Sequence, residues 1–184
     1  MTTETITTTT PAGVRISSSE PLYGEIFDFL IDEADLLDRD LHLEWLELLT
    51  PDIHYYMPAR KTLYRRDGEG FNKRGSHFDD DKASLTLRAR RNVEITSAYD
   101  RDPAPRMRRL VSNVVVREGD TADEYQVVSS ILILRNRYED TRSDTLSARR
   151  EDVVRRTPEG PWLARRTLLV DQALVPATWM NVFM

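Results

Sequence analysis

Hydrophobic positions between residues 21 and 37 recur at steps of three and four, the spacing of one helix face. The stripe comprises Leu22, Ile26, Phe29, Leu30, Ala34 and Leu37. Pro21 suits a first helical turn, where its missing N–H costs little, and Ser19 is a candidate N-cap. We therefore predict a first helix over residues 21–37.

A shorter stripe predicts a second helix over residues 41–49. Its buried face would comprise Leu41, Trp45, Leu48 and Leu49. Asp40 is the candidate N-cap, and Pro51 disfavours a helical conformation in the residue before it. Residues 52–58, which include Ile53, Tyr55, Tyr56 and Met57, then predict a short strand.

The middle of the chain gives weaker signals. Residues 61–77 are polar and contain three glycines, which predicts a loop. Asp79, Asp80 and Asp81 suit a helix N-terminus, because aspartate caps helices and its charge favours their positive end. Residues 84–95 are ambiguous, since their apolar positions fit both the alternation of a strand and one face of a helix.

From residue 107 onward the hydrophobic period is two, as in strands. The predicted strands span residues 107–118, 125–138, 146–156 and 162–174. Gly119-Asp120 and Pro158-Glu159-Gly160 supply turns between them. Helices followed by an antiparallel meander predict an α+β fold, in which a curved sheet covers the N-terminal helices.

Residues 1–18 begin with a threonine-rich stretch that predicts a disordered tail, and residues 19–184 form a single predicted α+β domain. The N-terminus lacks the basic and apolar regions of a secretory signal. No apolar run approaches the ~18 residues that span a bilayer. We expect a cytoplasmic protein without membrane contact.

Composition excludes several function classes. The 184 residues carry 31 acidic and 26 basic side chains, and a net charge of −5 argues against nucleic-acid binding. The absence of cysteine excludes a disulfide framework, a thiolate nucleophile, cysteine-bound zinc and a self-contained iron–sulfur cluster.

Metal and phosphate motifs are missing as well. His42, His54 and His77 lack ligand-like spacing, so no metal site is predicted. An EF-hand loop starting at Asp79 would need glycine and glutamate where the chain has Ser84 and Arg90. No glycine-rich phosphate loop is present either.

A curved sheet packed on helices can nevertheless enclose an apolar pocket, where a desolvated aspartate acts as a general base. The candidates are Asp35, Asp38, His54, Tyr55 and Tyr56. A stand-alone isomerase or dehydratase is therefore one alternative. A module that carries a hydrophobic small molecule without chemistry is another.

Six segments, in their order and spacing, resemble the small (beta) subunit of Rieske-type aromatic-ring-hydroxylating dioxygenases. They are residues 33–38 (EADLLD), 45–49 (WLELL), 52–60 (DIHYYMPAR), 78–82 (FDDDK), 108–114 (RRLVSNV) and 162–172 (WLARRTLLVDQ). Each motif alone is weak, but together they span nearly all of the chain after the tail.

The resemblance implies a cone-shaped fold of the nuclear-transport-factor-2 and ketosteroid-isomerase type, with a helix over residues 84–96. It implies a large alpha subunit that holds a [2Fe–2S] Rieske cluster and a mononuclear non-haem iron, usually in an alpha3beta3 hexamer. The complex adds both atoms of O2 to an aromatic ring, giving a cis-dihydrodiol. Electrons come from NADH through a reductase and often a ferredoxin.

In that family the small subunit is usually structural, so we expect no catalytic, metal or cofactor-binding residue in this chain. Lysine occurs only at positions 61, 73 and 82, and the abundant arginine suits ion pairs at interfaces. The candidate interface residues are Arg108, Arg109, Arg165, Arg166, Trp179, Met180 and Phe183. We hypothesise that the apolar residues 179–184 pack into the core or against a neighbour.

Overall fold

The computed structural model describes residues 5–6, 13–64, 66, 68–94, 104–137, 139–176 and 179–184. The helices are α1 (Pro21–Asp38), α2 (His42–Leu46) and α3 (Lys82–Glu94). The strands are β1 (Thr5–Ile6), β2 (Leu49–Arg60), β3 (Phe71–Asp80), β4 (Arg106–Glu118), β5 (Glu124–Asn136), β6 (Asp144–Thr157) and β7 (Gly160–Val170).

The described strands form one sheet in the order β1-β3-β2-β7-β6-β5-β4. Every neighbouring pair is antiparallel except β2 and β7, which run parallel. The predicted antiparallel meander of the four C-terminal strands is confirmed, whereas the sheet as a whole is mixed because β2 runs parallel to β7. These two strands are far apart in sequence, so no hairpin forces them to run in opposite directions.

The predicted helix ends need correction. Glu20, not Ser19, is the N-cap of α1, and its carboxylate accepts a hydrogen bond from the Ser17 N–H at 2.7 Å. Helix α2 has only five residues, and Leu41 is its N-cap rather than Asp40. Asp40 instead adopts a positive φ of 57° in the turn after α1, a conformation that aspartate tolerates better than most residues.

Strand β3 contradicts the loop predicted over residues 61–77. It pairs with β2 through two register shifts, and the buried rings of Phe71 and Phe78 anchor it to the rest of the domain. Irregular pairing of this kind blurs the alternation that identifies strands from sequence. Asp79 and Asp80 belong to this strand. Of the three aspartates predicted at a helix N-terminus, only Asp81 lies there.

Helix α3 resolves the ambiguity of residues 84–95 in favour of a helix. The carboxylate of Asp81 accepts a hydrogen bond from the Ser84 N–H at 2.8 Å, which satisfies a donor of the first turn. Leu85 and Ala89 are fully buried on one helical face. Residues 95 and 96 lie outside the described residues.

The four C-terminal strands predicted from the period of two are confirmed, although β7 ends at Val170 rather than at residue 174. One face of the sheet, here called the inner face, packs with the helices to form the core. Residues 14–16 run beside β4, where the Ile16 N–H donates to the Val116 carbonyl at 3.0 Å. This part of the predicted tail therefore packs on the domain.

No described helix combines the length and the apolar character that a transmembrane segment needs.

Candidate functional site: a filled interior and an exposed sheet face

The C-terminal segment, residues 179–184, lies inside the cone formed by the sheet and helices. Its residues Trp179, Val182, Phe183 and Met184 are buried. The Phe183 ring lies 4.5 Å from that of Trp45, between ring centroids. The segment therefore takes one of the two positions hypothesised from its sequence, the core, and fills space that could otherwise form a pocket.

A buried ionic network lies beside this segment. The Glu33 carboxylate accepts hydrogen bonds from both terminal nitrogens of Arg166 at 2.6 and 2.8 Å, and from the Trp45 indole at 3.0 Å. Arg150 adds a contact of 3.4 Å to the same carboxylate. The Asp152 carboxylate accepts hydrogen bonds from Arg166 at 2.9 and 2.8 Å.

Strand register places the other members of this network. Asp152 on β6 lies directly opposite Arg166 on β7. Arg150, two residues before Asp152, lies opposite Ser129 and donates to its hydroxyl at 3.0 Å. Residues two apart on a strand share a face, so both charged residues of β6 point inward.

The sequence analysis did not single out Glu33, Arg150 or Asp152. The sequence nevertheless indicates that these charged side chains face inward. Glu33 lies three residues after Leu30, on the apolar stripe of α1. On β6, alternation from Leu146 to Val154 places both charged residues among inward apolar ones.

Each charge in the network depends on its neighbours. Burial alone would raise the pKa of Glu33, but Arg166 and then Arg150 lower it below its ordinary value. Burial likewise disfavours the charged form of Arg166, yet Asp152 and Glu33 hold its pKa well above the ordinary range. Glu33 is thus a carboxylate bound by fixed cations, which is unsuited to acting as a general base.

A second ion pair joins α1, β4 and the C-terminal segment. Arg109 donates to the Asp38 carboxylate at 2.8 Å and to the Phe183 carbonyl at 2.7 Å. Arg166 donates to the Met184 main-chain oxygen at 2.7 Å. Arginine side chains therefore hold the two last residues through their main-chain oxygens.

Most of the candidate interface residues lie in the interior of the domain and not on its surface. Arg109 and Arg166 are only 6% and 0% exposed, because inward ion pairs use their guanidinium groups. Trp179 and Phe183 are buried within their own chain, and Met180 is half-buried. The members of that set that lie exposed on the surface are Arg108 and Arg165.

The five residues considered as an acid–base set do not meet. Asp38 and Tyr55 lie inside the cone and bind Arg109 and the C-terminal segment respectively. His54 stacks on Tyr56 and contacts Asp79 at 2.8 Å on the outer side of the sheet. Asp35 lies on the exposed side of α1, with Arg39 at 3.2 Å.

Metal ligands are not assembled in the part of the chain that the structure describes. No three His, Asp or Glu side chains there come close enough to hold a metal ion. His42 is buried against Phe183, whereas His54 is on the outer side of the sheet. With no cysteine in the sequence, the residues present do not fit a Rieske cluster or a mononuclear iron site.

The outer face of the sheet carries an apolar patch on β4 and β5. Leu110 and Leu132 lie directly opposite each other and are 47% and 40% exposed. By register, the half-buried Leu134, Val115 and Val128 share this face. We call these five residues the outer patch. Exposed leucines directly opposite each other on neighbouring strands are typical of a surface that binds a partner.

Arg165 lies farther along the same outer face, where two shallow depressions of about 300 and about 400 Å³ adjoin it. Both depressions are also lined by Glu124, Val153 and Thr167. Among the described residues Arg165 has no ion-pair partner. It therefore offers a planar guanidinium that can bind a carboxylate of another chain.

Residues 32–177 match the family described as ring hydroxylating beta subunit. The chain belongs to this family. It is 38% identical over 167 residues to the chlorobenzene dioxygenase subunit beta of Cupriavidus sp. (strain PS12), with 88% of each chain covered. It is 36% identical, with the same coverage, to the biphenyl 2,3-dioxygenase subunit beta of Rhodococcus jostii (strain RHA1).

Solved structures confirm the fold predicted for this beta subunit. A chain of naphthalene 1,2-dioxygenase with indole bound in the active site aligns with a TM-score of 0.77 at 18% identity, covering 92% of this chain and 90% of that one. The beta subunit of benzoate 1,2-dioxygenase from Burkholderia mallei ATCC 23344 gives 0.67 at 19% identity, covering 89% and 99%. The cone-shaped α+β class is therefore correct.

Proposed function

We propose that this beta subunit is a non-catalytic assembly component of a bacterial, cytoplasmic ring-hydroxylating dioxygenase that cis-dihydroxylates an aromatic compound. The observation that carries the proposal is the filled interior. The C-terminal segment and the Glu33 network occupy the space where a fold of this shape could bind a substrate. The redox centres, a Rieske cluster and a mononuclear iron, then belong to a large alpha subunit.

The alternative of a stand-alone isomerase or dehydratase has less support. Such an enzyme needs a free acid–base pair beside an open pocket. Here the interior carboxylates of Glu33 and Asp38 are bound by arginines, and the Tyr55 hydroxyl accepts the Met184 N–H at 3.0 Å. A carrier of hydrophobic molecules would need the same interior space.

We place the contact with the alpha subunit on the outer patch, with Arg108 and Arg165 as flanking cations. Leucine and valine supply buried apolar area at an interface, while arginine supplies charge-assisted hydrogen bonds. An alpha3beta3 hexamer, to which a reductase and a ferredoxin deliver electrons, is the assembly that we propose.

Coexpression of the full chain with its alpha subunit tests the assembly role. The two chains should copurify as a brown complex with iron–sulfur absorbance and should hydroxylate an aromatic substrate. The beta subunit purified alone should be colourless and inactive. Turnover by the isolated chain, or an alpha subunit that is equally stable and active without it, would overturn the proposal.

A further inference from the structure

Helix α1 carries an exposed acidic face. Asp28, Ile31, Asp32 and Asp35 follow one another at the i, i+3, i+4 and i+7 positions and are all exposed, so they lie on one side of the helix. Within the described residues neither Asp28 nor Asp32 has a cationic partner, and like charges four apart repel each other. Ile31, 40% exposed, lies between them.

Helix α3 carries a complementary basic face. Leu87, Arg90, Arg91 and Glu94 have the same i, i+3, i+4 and i+7 spacing and are exposed. Leu87 is 72% exposed, and among the described residues neither Arg90 nor Arg91 has an ion-pair partner. Glu94 is the single carboxylate of this face.

We propose that the acidic face of one copy binds the basic face of a second copy, an inference that rests on the proposed assembly role. Ile31 would pack against Leu87, while Asp28 and Asp32 would pair with Arg90 and Arg91. We choose a second copy as the binding partner because this chain itself carries both the acidic face and the basic face. The contact is heterologous, and such contacts form a closed ring of copies when the rotation closes.

The complete absence of cysteine permits a direct test by cross-linking. Full-length Ile31→Cys and full-length Leu87→Cys, carrying different tags, are mixed and mildly oxidised. A disulfide requires Cα atoms within about 7 Å, so a mixed disulfide dimer is expected from this pair. Pairing either variant with Leu174→Cys, an exposed position outside both faces, is the control and should give at least tenfold less product.

An equal yield with Leu174→Cys, or no mixed dimer from Ile31→Cys and Leu87→Cys, would overturn the proposal. Efficient dimerisation of Ile31→Cys with itself would also contradict it, because that product requires a symmetric contact between two acidic faces.

A charge exchange gives an independent readout by sedimentation of the full chain. Arg90→Glu/Arg91→Glu and Asp28→Arg/Asp32→Arg should each weaken self-association at least tenfold. The combination of all four changes keeps the net charge and should restore it. Arg15→Glu/Arg142→Glu, at exposed arginines outside the α3 face, is the matched control and should leave self-association unchanged.

If the alpha subunit, and not a second copy, binds the basic face of α3, the outcome is different. Arg90→Glu/Arg91→Glu would then lose copurification with alpha while self-association stayed intact, which would overturn the contact between copies. The assembly role would survive that result. It would fail only if the wild-type chain did not bind the alpha subunit at all.

Discussion

Glu33 is the residue on which the interior charges converge. Its carboxylate binds Arg166, Arg150 and the Trp45 indole in a fully buried position. Removing one partner of a buried ion pair leaves an uncompensated charge and typically costs about 3–5 kcal/mol. We predict that Glu33→Gln lowers the free energy of unfolding by that amount, measured by urea denaturation.

Asp35→Asn on the exposed side of the same helix is the control for this change. It also removes a carboxylate, but from an ion pair open to solvent, so it should change stability by about 0.5 kcal/mol or less. Similar losses for the two variants would show that the interior network contributes little to folding.

The same carboxylate predicts a pH dependence. Although burial raises it, the arginines bring the pKa of folded Glu33 below the ordinary value of 4.5. A group with a lowered pKa in the folded state stabilises the fold above its unfolded pKa, and this contribution is lost as pH falls through the folded value. The stability difference between wild type and Glu33→Gln should therefore shrink as the pH falls below about 4.5.

Denaturation curves at a series of pH values measure this difference. A gap between the two proteins that stays constant, or widens, towards acid pH would contradict an ionised Glu33 in the folded state.

At the scale of elements, the C-terminal segment acts as part of the core. Phe183 is fully buried, its ring is edge-on to His42, and the Arg88 guanidinium lies 4.7 Å from its ring centroid. Truncating a buried phenylalanine to alanine costs about 3–5 kcal/mol. We predict that Phe183→Ala lowers the free energy of unfolding by this amount with an unchanged denaturant m-value.

Leu174→Ala serves as the control because Leu174 is highly exposed shortly before the segment, and a surface change of this kind stays within about 0.5 kcal/mol. A Phe183→Ala protein as stable as this control would mean that residues 179–184 do not pack in the core.

The helices and strands differ in how well the local sequence pattern predicts them. Helix α1 has a regular period of 3.6, and strands β5 and β6 have a regular period of two. Strands β4 and β7 keep most of their alternation despite an irregularity in each pairing, so the local pattern sufficed. Strand β3 was missed because Gly75 and polar residues obscure its alternation, and its pairing with β2 is irregular. The prediction that α3 is a helix came from the family resemblance, because its apolar residues fit the periods of a helix and of a strand equally well.

The candidate site was less predictable for a physical reason. Whether Arg109 and Arg166 face a partner or the interior depends on strand register and on the position of the C-terminal segment. Neither is encoded locally. The pairing of Glu33 with Arg166 joins residues 133 apart in sequence, so a single sequence shows the two charges without showing that they meet.

At the scale of the whole molecule, the two faces of the sheet differ in their exposure to solvent. The inner face of the sheet is closed by helices and the C-terminal segment, whereas the outer patch exposes leucines to solvent. We predict that Leu110→Lys/Leu132→Glu weakens binding to the alpha subunit but leaves the chain folded. The new pair lies directly opposite across β4 and β5, and opposite charges at such positions are favourable.

Each leucine is only partly exposed, so its burial at an interface is worth about 1 kcal/mol. Losing two of them should weaken the complex about thirtyfold. Copurification yield and the dissociation constant measure this effect, and thermal unfolding checks the fold. Leu43→Lys/Leu174→Glu introduces the same side chains at exposed positions outside the sheet and should leave binding intact. If both double variants bind the alpha subunit equally well, the contact lies elsewhere on the surface.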